Sequence, residues 1–458
     1  MNRLINRLYR SIDFVLCSVL LFSCNNGTAP ENPLEGPAYN QYGTPFVHIP
    51  KTKDIIMYEV NLRAFSPSGD LQGVIDRLDK IKALGVNVLW LMPIYPIGTI
   101  HSVNSPYAVK NYKEVNPEFG DLHTLRMLTE QAHNRNIAVI MDWVANHTAW
   151  DNPWIENKNW YTQDSQGNIV HPAGTDWQDV ADLNYDNAEM RAAMIDAMEY
   201  WVYEANIDGF RCDAADFVPY DFWQQALDAL KSIPGRELIY LAEGNRKDHF
   251  SAGFQMNYSW DYYGQLKNIF SGQSATGLYT THLSEYQGLP AGKQKLRFTT
   301  NHDESAWDAT PMVLFNGAAG STAAFVLSTY MGGVPLIYGS QEVGAVANIP
   351  FFSNSTIDWS ANPDMLKAYQ TILGFYSGSD AAKERTMENY SNSNVVCFEK
   401  TGTQDTVLVM VNVRGSGSNF VVPSQLQNTK WANVFSVDSL TLSQNVALDG
   451  YAYLILKK

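Results

Sequence analysis

Four acidic residues in this chain each close a largely apolar run, and the intervals between them constrain the fold more than any other feature. The runs are Ile137–Met141 before Asp142, Gly209–Cys212 before Asp213, Leu238–Ala242 before Glu243, and Leu296–Thr300 before the Asn301-His302-Asp303 turn. Asp213 to Glu243 spans about 30 residues and Glu243 to Asp303 about 60, whole multiples of the strand-plus-helix unit of a (β/α)₈ barrel at about 30 residues apiece. Asp142 to Asp213 spans about 70, roughly 40 more than one unit, which predicts a subdomain inserted after the third strand. Apolar runs at Ile55–Val60 and Val86–Leu91, with helical patterns near 70–84 and 121–135, supply the first units, and Gly333–Gly339 supplies the eighth strand. Beyond about residue 380 the pattern changes to short alternating runs, Val395–Glu399, Thr406–Val413, Asn433–Ser436 and Tyr451–Lys457, separated by Gly, Ser and Asn. That pattern is expected of an antiparallel β-sandwich. The chain thus divides into a barrel over 51–146 and 188–380, an inserted subdomain over 147–187 and a C-terminal sandwich over 381–458.

Ahead of the barrel, Arg3, Arg7 and Arg10 precede an apolar run from Phe14 to Phe22, the order of a secretory signal over residues 1–23, and the run is too short for a membrane span. The run ends Leu21-Phe22-Ser23-Cys24, which resembles a bacterial lipobox. Cys24 is therefore expected to carry a lipid, and the protein to be exported and anchored, at an outer membrane, on its periplasmic or cell-surface face. Residues 24–50, rich in Asn, Gly and Pro, read as a tether. With Cys17 removed and Cys24 acylated, the remaining thiols are Cys212 and Cys397, in different domains, so no disulfide framework is expected. A net charge of −15 excludes tracking of a nucleic-acid backbone. An aromatic content of 12% suits surfaces that stack flat polar ligands such as sugars.

Side chains alternate along a strand, so Arg211 and Asp213 share one face, and a carboxylate held beside a guanidinium stays ionised. Barrel enzymes take their catalytic groups from the C-terminal ends of several strands, so Asp142, Asp213, Glu243 and Asp303 should converge on one mouth, with His147 and His302. Each residue alone reads as a cap, a turn former or half of an ordinary ion pair; their joint placement points to chemistry. Carboxylates crowded in one cleft need cationic or hydrogen-bonding partners, and Arg211 and the two histidines are expected to supply them.

On these residues the sequence resembles the α-amylase family of glycoside hydrolases over residues 54–458. Asp142-Trp143-Val144-Ala145-Asn146-His147, Gly209–Asp216, Ala242-Glu243-Gly244 and Phe298–Asp303 are similar to its four ordered motifs, and Ala181-Asp182-Leu183-Asn184 to a fifth. The resemblance implies Asp213 as nucleophile, Glu243 as general acid/base and Asp303 as transition-state stabiliser, with Tyr107, His147, Arg211 and His302 lining the subsite where the bond is cut. It implies a retaining hydrolase of α-1,4 links in starch or malto-oligosaccharides, working through a covalent glycosyl-enzyme. A glucanotransferase of the same fold, or a silent glycan-binding relative, would be the alternatives. It further implies a structural Ca²⁺ at Asn146 and Asp182 and no organic cofactor. One or two of Trp150, Trp154, Trp160 and Trp177 are expected to stack on sugar. The second motif ends Ala215-Asp216-Phe217 where many starch-cleaving members carry Lys-His, which leaves acceptor-side contacts open.

Overall fold

The computed structural model describes residues 39–458 apart from Val437; the signal segment and Cys24 lie outside the described residues. Eight parallel strands close on themselves: β1 Met57–Val60, β2 Val88–Leu91, β3 Ala138–Val144, β4 Gly209–Asp213, β5 Ile239–Ala242, β6 Met256–Tyr258, β7 Gln294–Arg297 and β8 Val334–Tyr338, with β8 paired back to β1. All are buried on both faces, which is why they read as continuous apolar runs. Alternate residues divide two cores. Val88, Trp90, Ile140, Leu241, Met256 and Leu296 fill the barrel. Leu89, Val139, Phe210 and Tyr240 face the surrounding helices.

The units are less even than their spacing suggests. Only a single helical turn, His249–Ala252, separates β5 from β6, whereas two helices, Trp260–Phe270 and Thr276–Tyr286, separate β6 from β7. After β3 the chain leaves the barrel as His147–Ala149, which pairs antiparallel with the returning Val180–Asp182. The C-terminal region is a six-stranded antiparallel sheet with a two-stranded sheet, Ser418–Val421 with Asn445–Leu448. One face of the larger sheet (Val395, Cys397, Leu408, Met410) packs with Phe420 and Leu448 of the smaller one. Its other face (Val396, Phe398, Val409, Val411) joins the core outside the barrel strands.

The tether expected over 24–50 is corrected from Tyr39 onward. The Tyr39 hydroxyl donates to Asp196 at 2.7 Å, that of Tyr42 to Glu130 at 2.6 Å, and Asn206 donates to the Thr44 carbonyl at 2.9 Å. Phe46 is buried and stacks on His133 with ring centroids 4.4 Å apart. Composition read this stretch as unstructured because its anchoring aromatics are few and irregularly spaced. Phe46→Ala is accordingly expected to cost about 3 kcal/mol, the low end for a buried phenyl. A shift of less than about 0.5 kcal/mol in chemical denaturation, the range of a surface substitution, would mean the segment is not part of the folded unit.

Candidate active site

The mouth of the barrel is built around Arg211. Its guanidinium is fully buried, faces the rings of Trp90 and Tyr258 at 5.0 and 5.7 Å, and reaches three carboxylates. Nη1 donates to Asp142 at 2.8 Å and to Asp213 at 2.9 Å, while Nη2 stands 2.7 Å from Glu243 Oε1 as an ion pair without hydrogen-bond alignment. Ladder register explains the first contact, because Asp142 and Arg211 are opposed on β3 and β4. Glu243 also accepts from the Ala214 amide at 2.8 Å, and Ala214 holds a left-handed conformation (φ 43°), local strain of the kind that accumulates at working sites.

A second cation lies across the cleft. His302 Nδ1 is 2.5 Å from Glu59 at the end of β1, and its Nε2 is 2.7 Å from the Tyr107 hydroxyl and 3.3 Å from Asp303. The Tyr107 hydroxyl donates to Asp142 at 3.1 Å, and Trp90 Nε1 donates to the same oxygen at 3.1 Å. Burial opposes the charge on His302, but the Asp303 and Glu59 carboxylates outweigh it and push the imidazolium up to about 9. His147 goes the other way: burial pulls it down to about 4, so it is neutral, which leaves hydrogen bonding as the one of its two expected roles open to it. Burial pushes Glu243 up to about 7 against the pull of Arg211, with Asp213 and Asp303 adding to the rise. Burial likewise raises Asp213 to about 6, again against Arg211.

Of these groups Asp213, Glu243 and Asp303 line a cavity of about 760 Å³ that also takes in Tyr107, His147, Trp177, Phe217, Trp307 and Phe352, with Arg211 and His302 buried behind them. The family model for the α-amylase catalytic domain matches residues 40–171 and 156–403. The chain belongs to the α-amylase family. It is a glycosidase. The chain is 28% identical over 366 residues to α-amylase 3 of Dictyoglomus thermophilum, covering 70% of each chain. It is 26% identical over 379 residues to a cyclomaltodextrinase of a Bacillus species, covering 75% of this chain and 65% of that one. Among solved structures, an α-amylase of Lactobacillus plantarum superposes with a TM-score of 0.80 at 27% identity, over 89% of this chain and 99% of that one. A maltogenic α-amylase of Thermotoga neapolitana gives the same TM-score and coverage at 25% identity.

Within this family member the expected residues do not all meet substrate space. Asp213, Glu243, Asp303, Tyr107 and His147 line the cavity, while Asp142 is fully buried beneath it, a partner of Arg211 and Tyr107 rather than a fourth carboxylate of the cleft. Of the four tryptophans in the insertion only Trp177 lines the cavity; Trp154 packs on Tyr112 at 4.9 Å and on Trp160 at 5.3 Å. Asp216, which stands in place of the usual lysine, accepts from the amides of Asn245 at 2.9 Å and Arg246 at 3.2 Å and so ties down the loop that follows Glu243. Gly244 is required there: its φ is 153° and a Cβ would lie 2.3 Å from Asp216 Oδ1.

Asn146 and Asp182 lie one residue out of register where the insertion leaves and rejoins the barrel, His147 pairing with Asp182 and Leu183 donating to the Asn146 carbonyl at 3.2 Å. Asn146 turns its amide nitrogen to His147 at 3.2 Å, which leaves its side-chain oxygen free to ligate; burial raises the half-buried Asp182 carboxyl, a charge that a cation would stabilise. Both are oxygen donors of the type Ca²⁺ takes, so the pair fits that ion as part of a larger ligand set.

Glu59 was not singled out from the sequence, although a carboxylate inside the apolar Ile55–Val60 run was a signal that something must meet it. Because the folded pKa of His302 lies above its ordinary 6.5, its stabilisation is full below about pH 6.5 and is lost as pH rises through about 9. Glu59→Gln is expected to lower the His302 pKa by roughly 1–2 units in an NMR titration. It should also reduce melting temperature more at pH 6 than at pH 10. A deficit independent of pH would remove the ion pair from the account.

Proposed function

We propose that this chain is an exported, retaining glycoside hydrolase that cleaves α-1,4-glucosidic bonds of malto-oligosaccharides or starch through a covalent glycosyl-enzyme. The observation that carries the reading is one buried guanidinium shared by Asp213 and Glu243. Oxygens held at 2.9 and 2.7 Å by the two terminal nitrogens of one guanidinium put both carboxylates within reach of one glycosidic bond, as a nucleophile paired with an acid requires. Glu243, raised by burial to about 7, holds the proton that the leaving oxygen needs; Asp213, also raised by burial but ionised above about pH 6, attacks and forms the ester. Water then enters with Glu243 as base, and Asp303 steadies the positive charge at the sugar ring in both steps. Relatives that are α-amylases, a cyclomaltodextrinase and a maltogenic enzyme support α-glucans as the substrate class.

The reading includes anchorage by lipid at Cys24 and a structural Ca²⁺ at Asn146 and Asp182, which would hold the insertion to the barrel outside the catalytic steps. Transfer to a second sugar is kept as a second reading on one observation. Phe217, about half exposed, and Trp177 lie 5.8 Å apart on the Glu243 side of the cleft, an apolar platform suited to a sugar acceptor. Longer oligosaccharides formed from maltoheptaose would favour that reading, and shorter ones alone favour hydrolysis.

The acid limb of kcat/KM is expected near pH 6, from ionisation of Asp213, and the alkaline limb near pH 7, from loss of the Glu243 proton, the two being macroscopic values of one interacting set. Glu243→Gln should slow unactivated maltosides by about 10²–10⁴ while sparing aryl glycosides whose leaving groups need no proton. Equal loss on both substrates would contradict the assignment of Glu243.

A further inference from the structure

Arg63 belongs to none of the machinery described above, yet it is as tightly held as Arg211. It lies on the helical turn Leu62–Phe65 directly after β1, is almost fully buried, and has all five N–H groups occupied. Nε and Nη2 donate to the two oxygens of Glu118, both at 2.8 Å. Nη1 donates to the carbonyls of Asn104 at 2.8 Å and Phe351 at 2.9 Å, and Nη2 also to Asn104 Oδ1 at 3.2 Å. Asn104 in turn donates to the Phe352 carbonyl at 2.6 Å. Burying a guanidinium against a single carboxylate is costly, and ordinary packing would be served as well by an apolar side chain. What the arginine does here is join the loop after β2, which carries Glu118 and Asn104, to the loop after β8, which carries Phe351 and Phe352.

The place of that clasp gives it meaning. Strands β2, β1 and β8 are neighbours, so the two loops meet above β1, and both line the cavity through Val103, Ser105, Phe351 and Phe352. The chemistry fixes which end of the cleft this is. The leaving sugar lies on the side of its proton donor, Glu243, where Phe217, Trp177 and Gly244 stand. The ring that becomes bonded to Asp213 lies toward Asp303, His302 and Tyr107. The Phe351 ring is 5.2 Å from His302 and 6.0 Å from Tyr107, and Trp307 packs on Phe351 and Phe352 at 5.7 and 5.3 Å. Phe351, Phe352 and Trp307 therefore form a wall on the side of the cleft held by His302 and Tyr107, the non-reducing side of the reacting ring.

We propose that Arg63, through Asn104 and Phe352, closes the non-reducing end of the cleft, so that the enzyme acts from free chain ends and releases units of one or two sugars. The proposal rests on the α-1,4-glucosidase reading above and adds to it the class of substrate: a malto-oligosaccharide with an unmodified non-reducing terminus. A long chain cannot thread past the wall, so internal bonds of the same chemistry are refused by shape.

The test compares p-nitrophenyl maltoheptaoside with the same compound carrying a 4,6-O-ethylidene group on its non-reducing terminal glucose. The full-length protein should degrade the free-ended compound to labelled chains shortened by a constant small unit. The blocked one should turn over about 100-fold more slowly, within the range a steric mismatch supplies. Arg63→Leu should restore internal cleavage of the blocked substrate. Should that variant fail to fold, Asn104→Gly serves: it suits the positive φ of 64°, keeps the backbone carbonyl that accepts from Arg63, and removes the side-chain bonds to Phe352 and Arg63 Nη2. Equal turnover of both substrates by the unaltered protein, or no gain on the blocked one in a folded variant, overturns the proposal and leaves the hydrolase reading intact. If neither substrate is cleaved, the α-1,4 reading is wrong and the proposal falls with it.

Discussion

A single buried cation, Arg211, is the constraint on which the rest of the mouth depends. Three carboxylates, Asp142, Asp213 and Glu243, lie within ion-pair distance of its guanidinium in a setting that solvent barely reaches. Without that charge they would repel one another and be driven to protonate together, losing the difference between a carboxylate that attacks and a carboxylic acid that donates. The barrel is what makes the arrangement possible. Alternation along β4 puts Arg211 and Asp213 on one face, and parallel register sets Asp142 opposite the arginine. The neighbouring strand β5, paired so that Cys212 opposes Ala242, then brings Glu243 to the other guanidinium nitrogen.

The second cation divides the site in two. His302 is charged because Glu59 and Asp303 flank it, and its link through Tyr107 to Asp142 joins it to the Arg211 cluster by hydrogen bonds. Asp303 thus lies at the cationic wall on the side of the sugar ring, whereas Glu243 faces the aromatic side where Trp177 and Phe217 stand. The proposed mechanism gives the substrate a direction across these two sides, and the proposed Arg63 clasp lies on the His302 side. In each case a buried arginine holds loops from neighbouring strands at fixed separation, once for chemistry and once for the shape of the cleft.

Much of this was legible in the sequence, because charged residues interrupt apolar strands at intervals that only a repeated strand-and-helix unit explains. Arg211 and Asp213 could be paired from their spacing alone. Glu59 interrupts β1 in the same way, but its partner His302 lies more than half the chain away, so no local pattern could pair them. His147 was expected as a cationic or hydrogen-bonding partner, and its neutral state could not be read from sequence, which carries no measure of burial. The even spacing gave the number of strands but hid the short β5-to-β6 connection, where a tight turn in one unit is offset by an extra helix in the next. The segment from Tyr39 to Pro50 has the composition of a linker and the contacts of a packed edge. Asp216 departs from the family pattern, and only the amides of Asn245 and Arg246 show what the substituted carboxylate does.

The central claim is that Asp213 and Glu243, bridged by one guanidinium, flank the scissile bond, Asp213 attacking the anomeric carbon from the side opposite the leaving oxygen that Glu243 protonates. The most direct measurement is the anomeric configuration of the first product, followed by proton NMR during rapid hydrolysis of p-nitrophenyl α-maltoside, before the free sugar mutarotates. The account requires the α-anomer to appear first and the β-anomer only later, by equilibration. Initial formation of the β-anomer would mean that water attacks directly, and that Asp213 is not the nucleophile.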